Sequence, residues 1–402
     1  MTTFPELLRE WRLAAHMSLA DLAQRIGYDR TYLHHFETGR RPTPQRAAEA
    51  ADEATGANGA LVEQWQREDR ARREAAAAHR TRAAALAMSR DLTALADLDI
   101  SELQEGVSAT AVDYLASPPA PMMDRAHVMR GEAFERLRSG HHRPQDRSDL
   151  YVAAGRLSGV LSYALLDMGD AEEAIEHATA AGRCAELAGD AELAAWVAGT
   201  KSLIARFQGD YGRALEYVRD GYQWVGSGHG TGEARLRCGE AQCLANLGNS
   251  RLANTALDRA EQARDGIRRP DSLGGLFGFS RAKQSYYAGS SLIWLQGGHD
   301  AERASREAAT AIELWQAGPA DERSLDDERL AHIYLATARV QLDDVEGAAD
   351  AIRPVLSLPV EDQISWIVKR ADRLAGMLSA PRYAGNRTAE ETVEAINALA
   401  AA

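Results

Sequence analysis

Two short stretches near the start of this 402-residue chain gather side chains that could recognise charge. Arg30, Thr31, Tyr32, His34 and His35 lie within DRTYLHHFE, and Arg40 and Arg41 follow in Gly39-Arg40-Arg41-Pro42. A guanidinium presents a rigid fork of N–H donors that matches paired acceptors on a phosphate or a base edge. The charge of an imidazole changes near neutral pH. The two histidines invite a metal reading, but no third ligand stands near them, so neither a metal nor a cofactor is expected. Patterns for covalent or metal-assisted catalysis are missing: there is no HExxH, no GxSxG and no paired-cysteine motif. An enzyme is therefore not expected. Cys184, Cys238 and Cys243 are too few and wrongly spaced for a disulfide framework, and read as small buried hydrophobes.

Taken whole, the charge of −13 argues against a nucleic-acid partner, but it is unevenly spread. Residues 1–90 hold 14 arginines against 12 carboxylates, a net +2, which leaves −15 for the remainder. Any contact with a polyanion belongs near the N-terminus, and the acidic remainder repels phosphate. Alanine is abundant and aromatics are only 6%, which favours closely packed helices over sheets. No apolar run reaches the length of a membrane span, and MTTFPELLREWR is no secretory signal. The expected location is cytoplasmic, at the nucleoid, with no membrane partner.

The elements that must position the arginines follow from caps and breakers. FPELLREWRLAA places Leu7, Leu8 and Trp11 on one stripe of a short helix over 4–15. Ser18 opens a second helix, and Asp21 completes a capping box. That helix turns Leu19, Leu22, Ala23 and Ile26 inward and stops at Gly27. Asp29 caps a third helix, with Leu33 and Phe36 facing in. Thr43-Pro44 starts a fourth. Helix, glycine turn, short helix and basic turn is the layout of a helix-turn-helix unit. MSLADLAQRIGYDRTYLHHFETGRRPTP resembles the Cro/Xre-type helix-turn-helix, with Ser18, Leu22-Ala23, Gly27, Leu33, Glu37, Gly39 and Pro42 in register.

The resemblance implies that the helix over 29–37 lies in the major groove of a double-stranded operator. It assigns Arg30, Thr31, His34 and His35 to DNA, with Arg30 on a guanine that its fork fits bidentately. It gives Tyr32, Arg40 and Arg41 to phosphates, and brings Ser18 and Leu19 to the backbone. Leu19 stands where the family often has Gln, which removes one usual polar contact. Solvated histidines and a solvated arginine pair are the alternatives. Arg12 and Glu37 match a buried ion pair of the family, whose loss would destabilise by a few kcal/mol.

Residues 69–100 read as a helical linker after a domain over 1–68, and 101–402 as helix after helix. Arg70, Arg72 and Arg73 could touch phosphate from the linker. Ser117-Pro118-Pro119-Ala120-Pro121 is a breaker. A turn followed four residues later by Ala recurs: Asp170 and Ala174, Asp210 and Ala214, Asn249 and Ala253, Asp300 and Ala304, Asp344 and Ala348. The turns are 40, 39, 51 and 44 residues apart. Ser162, Ser202, Ala241 and Ala336 stand eight residues before a turn, and a two-residue insertion places Ser290 likewise. The pattern resembles tetratricopeptide repeats, with a period longer than their 34 or so residues. The resemblance implies an all-α fold, a helix-turn-helix domain followed by a tetratricopeptide-like α-solenoid with a concave groove.

In such repeats the groove is walled by the first helix of each pair. That facing selects Arg156, Tyr163, Trp196, Arg206, Arg235, Gln242, Gln284 and Tyr287, a set suited to a peptide or a small anionic or amphipathic molecule. Core packing of Trp196 and Tyr287 is the alternative. The long irregular segment 264–281 suggests a mobile flap over the groove. The combination resembles ligand-responsive regulators, and the scarcity of lysine (Lys201, Lys283 and Lys369 alone) resembles the actinobacterial type. It implies a homodimeric transcriptional regulator with a peptide or small-molecule effector in the repeat domain. The alternatives are a regulator, or a scaffold, whose groove captures a partner protein.

Overall fold

The computed structural model describes residues 3–41, 43–71, 100–139, 144–226, 229–295, 297–359 and 363–401. The chain divides into two compact units, 1–90 and 91–402. Both are helical, and no strand forms among the described residues. No described helix is long and apolar enough to cross a membrane.

In the first unit α1 (Phe4–Ala14) buries Phe4, Leu8 and Arg12, successive turns of one face. Leu7 and Trp11, expected on that face, are half-buried beside it. The Ser18 hydroxyl accepts the Asp21 N–H at 3.2 Å and the Asp21 carboxylate accepts the Ser18 N–H at 2.9 Å, which starts α2 (Leu19–Ile26). Gly27 ends it at φ +74°, in the left-handed region. Asp29 accepts the Thr31 N–H at 2.7 Å and starts α3 (Arg30–Glu37). Before α4 (Gln45–Thr55) the capping residue is Pro44, one later than expected. Thr43 is buried, and its carbonyl accepts the Trp65 indole N–H at 2.7 Å.

Trp65 belongs to a helix over 60–71, α5, that the sequence reading did not separate from the linker. The buried Asp52 carboxylate accepts the N–H groups of Gly59 at 2.7 Å and Leu61 at 2.9 Å, capping α5 from α4. Leu61 and Trp65 then complete the first core. The expected boundary at 68 falls inside α5, where Glu68 accepts the Phe4 N–H. Pro42, Arg72, Arg73 and most of the expected linker lie outside the described residues.

The second unit begins with α6 (Ile100–Asp113) and a short turn of helix, Tyr114–Ala116. The proline run then serves as a start as well as a stop: α7 (Pro119–Ser139) opens on Pro119, in a first turn that needs no N–H donor. There follow α8 (Pro144–Asp167), α9 (Ala171–Ala188), α10 (Ala191–Phe207), α11 (Tyr211–Gly221), α12 (Gly232–Asn246), α13 (Ser250–Asp265), α14 (Arg281–Leu292), α15 (Gly298–Ala317), α16 (Leu325–Gln341), α17 (Val345–Leu356), α18 (Ser365–Leu378) and α19 (Arg387–Ala401). Each even-numbered helix from α8 packs on the odd-numbered one after it, and touches the next even-numbered one.

The recurring turn has a common geometry. Gly169, Gly209 and Gly248 adopt φ between +75° and +94°, and Asp343 takes the same place at +60°. The carboxylates of Asp170, Asp210 and Asp344 accept N–H groups of Glu173, Arg213 and Gly347 at 2.9–3.0 Å. The fourth turn differs from the expectation: α15 starts at Gly298, so Asp300 sits within its first turn. There it accepts from Ser250 Oγ at 3.2 Å and Asn254 Nδ2 at 3.1 Å on α13. Ala174, Ala214, Ala253, Ala304 and Ala348 are buried, as are Ser162, Ser202, Ala241, Ser290 and Ala336. Small side chains at these points let the paired backbones approach.

The row of even-numbered helices does not stay open. Ser365 Oγ on α18 donates to the Leu166 carbonyl of α8 at 3.3 Å, and Trp366 meets Phe207 of α10 edge to face at 4.7 Å. The row returns to its start and encloses what was expected to be an open groove. Segment 264–281, expected as a mobile flap, is instead strapped to the body. Asp271 accepts Thr231 N–H and O–H at 2.6 and 2.7 Å, Glu192 accepts from Ser272 at 2.9 Å, and Leu273, Leu276, Phe277 and Phe279 are buried. Its apolar residues had no partners in the local sequence; their partners lie on α6, α8, α10 and α14.

Candidate functional site

On the first unit, the caps of α2 and α3 set which side chains face outward. Arg30, Thr31, Tyr32, His34, Arg40 and Arg41 are exposed, as is Ser18; His35 and Leu19 are half-buried. Leu33 and Phe36 anchor α3 from below. Tyr32, 45% exposed, rests its ring edge on Phe36 at 6.5 Å and lies under the Arg41 guanidinium at 5.2 Å. A core aromatic thus fixes an exposed phenol, which in turn holds an exposed cation. The His34 and His35 rings are 6.3 Å apart, and Thr38 Oγ1 donates to the His34 carbonyl at 2.7 Å.

Beneath this surface Arg12 Nε and Nη2 donate to the two Glu37 oxygens at 2.5 and 2.9 Å, and Nη1 donates to the Met17 carbonyl at 2.8 Å. Both side chains are buried. The Glu37 hydrogen bonds push the Arg12 guanidinium further up from its usual pKa. One bidentate pair therefore ties α1 to α3 and to the turn before α2.

The second unit encloses a cavity of about 1000 Å³, counting the space at its opening. Five of the eight residues expected along the groove line it: Tyr163, Arg206, Arg235, Gln242 and Tyr287. Trp196 and Arg156 border a separate, shallower depression. Trp196 is packed, its ring 4.5 Å from Phe277 and 5.4 Å from Tyr163, and its N–H donates to the Leu276 carbonyl at 3.2 Å. Arg156 reaches Ser272 of the strap at 2.7 Å. Gln284, 2% exposed, turns away from the cavity, and its oxygen accepts from Arg264. Further lining groups were not foreseen, Tyr114, Asp167, Lys283, Asp326, Asp327 and Arg370 among them. Their helices were legible, but their common destination depends on the closure of the row.

The charged groups lining the cavity fall into two sets by the partners they have. In one, Tyr114 donates to Asp167 Oδ2 at 2.6 Å. Burial raises the Asp167 carboxyl to about 8, against the Tyr114 hydrogen bond and with help from Asp326 and Asp327. Asp326 accepts from Arg329 at 2.8 Å, and Asp327 stands 3.8 Å from Lys283 Nζ. The other set is Arg206 and Arg235, 6% and 7% exposed. Arg235 donates to the Trp196 carbonyl at 2.6 Å, the Tyr163 hydroxyl at 2.9 Å and Thr200 Oγ1 at 3.0 Å. Arg206 Nε donates to the Ser202 carbonyl at 3.3 Å, and its guanidinium lies 5.6 Å from the Tyr287 ring. Burial raises the Tyr287 phenol to about 12, while Arg206 and Arg235 pull it back.

Gly199 explains how Arg235 fits. A Cβ there would come within 2.7 Å of Arg235 Nη1. A glycine inside a helix costs roughly 0.5–1 kcal/mol relative to alanine. Here it opens the side of α10 to a guanidinium.

Among the described residues no group of histidine, cysteine and carboxylate side chains could hold a metal. The three cysteines are free and buried. A search of curated proteins finds no match to the chain. Residues 4–65 match the family model described as a helix-turn-helix domain, so the first unit carries a domain of a DNA-binding class.

Proposed function

We propose that the chain is a sequence-specific, DNA-binding transcriptional regulator of the Cro/Xre type. Its repeat unit, of tetratricopeptide character, binds a peptide or small-molecule effector and carries the contact of a homodimer. The observation that supports this most directly is the match over 4–65, joined to the exposed Arg30, Thr31 and His34 on α3. Arg30 reads a guanine edge; Tyr32, Arg40 and Arg41 hold phosphates, and Ser18 and the half-buried Leu19 approach the backbone. Two copies present their α3 helices about 34–36 Å apart, or a multiple of that, to successive major grooves. An effector changes that presentation only through different affinities for two arrangements of the repeat unit. The cavity is a binding site and not a catalytic one in this reading, and the protein works at the nucleoid.

The test is titration of the full chain against fragmented genomic duplex DNA, first at low salt and then at rising salt. The expected result is selective retention of some fragments, with affinity falling steeply as salt rises. A chain that ignores every fragment at low ionic strength overturns the proposal.

A further inference from the structure

We infer that the cavity of the second unit takes a compact organic anion, an aromatic or apolar body whose carboxylate or phosphate sits between Arg206 and Arg235. The inference rests on the effector reading of the cavity, but not on the DNA-binding reading of the first unit.

Charge accounting within the cavity carries it. Arg206 and Arg235 are both more than nine-tenths buried, and every acceptor found for them is neutral: two carbonyls, two hydroxyls and the faces of Tyr287 and Trp196. Among the described residues neither has a carboxylate partner. Neutral acceptors satisfy N–H groups without cancelling charge, and an uncompensated buried cation is costly. The acidic groups of the cavity are compensated internally. Asp326 has Arg329, Asp327 has Lys283, and Tyr114 donates to an Asp167 carboxyl that holds its proton near neutrality. A third cation faces the same space. Arg370 lies between the Trp294 and Trp366 rings at 4.9 and 5.3 Å, and its buried Nε has no partner. The missing counter-charge is therefore an anion from outside the chain.

The walls describe the rest of the ligand. Phe279, Tyr286, Tyr287, Tyr334 and Trp366 line the space and offer flat apolar contact. Gln242 Nε2 is engaged by Ser290 Oγ at 2.7 Å, while its buried oxygen has no partner and can accept one donor from the ligand. The closure of α18 on α8 and α10 limits length, which favours a compact molecule over an extended chain.

The experiment uses the full chain, with calorimetric titration and thermal melting as readouts. The probes are indole-3-acetate and phenyl phosphate, with tryptamine as the cationic counterpart, a tripeptide with a free carboxylate, and sodium chloride at matched ionic strength. Saturable binding of an anionic probe with a raised melting temperature is expected, and tryptamine and chloride should give neither. Arg206→Met should weaken the anion about tenfold or more, and Arg206→Lys should keep part of the affinity. The unliganded Arg206→Met protein should melt no lower than the parent, because a burdened cation has gone; a variant that unfolds would overturn the charge argument. Three other results overturn the inference: binding of tryptamine in preference to the anions, binding of the tripeptide alone, or no binding by any probe. Anion binding that leaves affinity for DNA unchanged would keep the ligand class and remove the effector role. Loss of DNA binding by the parent would leave the titration untouched.

Discussion

The two units use arginine in opposite ways. In the first, Arg30, Arg40 and Arg41 stand in water, and among the described residues the deeply buried guanidinium, Arg12, is matched by Glu37 at 2.5 Å. In the second, Arg206 and Arg235 are buried among neutral acceptors. An exposed arginine loses little while it waits for a polyanion, since water solvates it. A buried one is costly unless something supplies charge. The contrast suits the proposed pairing of a long polyanion with the first unit and a short anion with the second.

The largest effect expected from breaking this contrast is on Arg12. Arg12→Ala leaves Glu37 buried and unpaired, and should destabilise the first unit by about 3–5 kcal/mol. Hydrogen exchange in α1 and α3 measures it, and retained protection would show that the pair is not needed. Next is Arg30→Ala, expected to relax preference at one base pair by about 1–3 kcal/mol while leaving other positions alone. An unchanged preference in a binding-site selection would remove Arg30 from readout.

A third test concerns the acidic groups of the cavity. Asp167 is raised to about 8, so between roughly pH 4 and 8 the folded chain holds a proton that the unfolded chain has released. Stability therefore falls as pH rises through that window, by no more than about 1.4 kcal/mol per pH unit from this group, and levels above it. Asp167→Asn should remove this part of the slope in melting curves, and an identical slope would mean that Asp167 is ionised in the fold. The smallest effect is on Arg41, which lies over Tyr32 at the surface. Arg41→Ala should weaken all duplexes alike and lower the salt slope by about one. A sequence-dependent loss would instead make Arg41 a reader of bases.

The local devices were readable because they span three or four residues. Ser18 with Asp21 and Asp29 with Thr31 form the predicted caps, and the recurring turn read at 170, 210 and 344 starts a helix each time, with its carboxylate as the cap. Burial of alanine four residues after each turn followed from the same pattern. Where the reading slipped, a distant partner decided. Thr43 lost its capping role to Pro44 while its carbonyl bonded Trp65, 22 residues on. Asp300 moved into its helix and turned to α13. The 264–281 segment looked loose because its partners on other helices are invisible in its own composition.

Sequence alone determined the helical class, the first four helices, the repeated turn and the outward Arg30 of α3, because caps, glycines and apolar spacing act over one turn of chain. Only the tertiary structure decided that the groove closes, and that Arg235 meets Tyr163 across 72 residues while Ser365 meets Leu166 across 199. Those contacts join residues far apart in the chain, and whether a buried charge is balanced depends on neighbours in space.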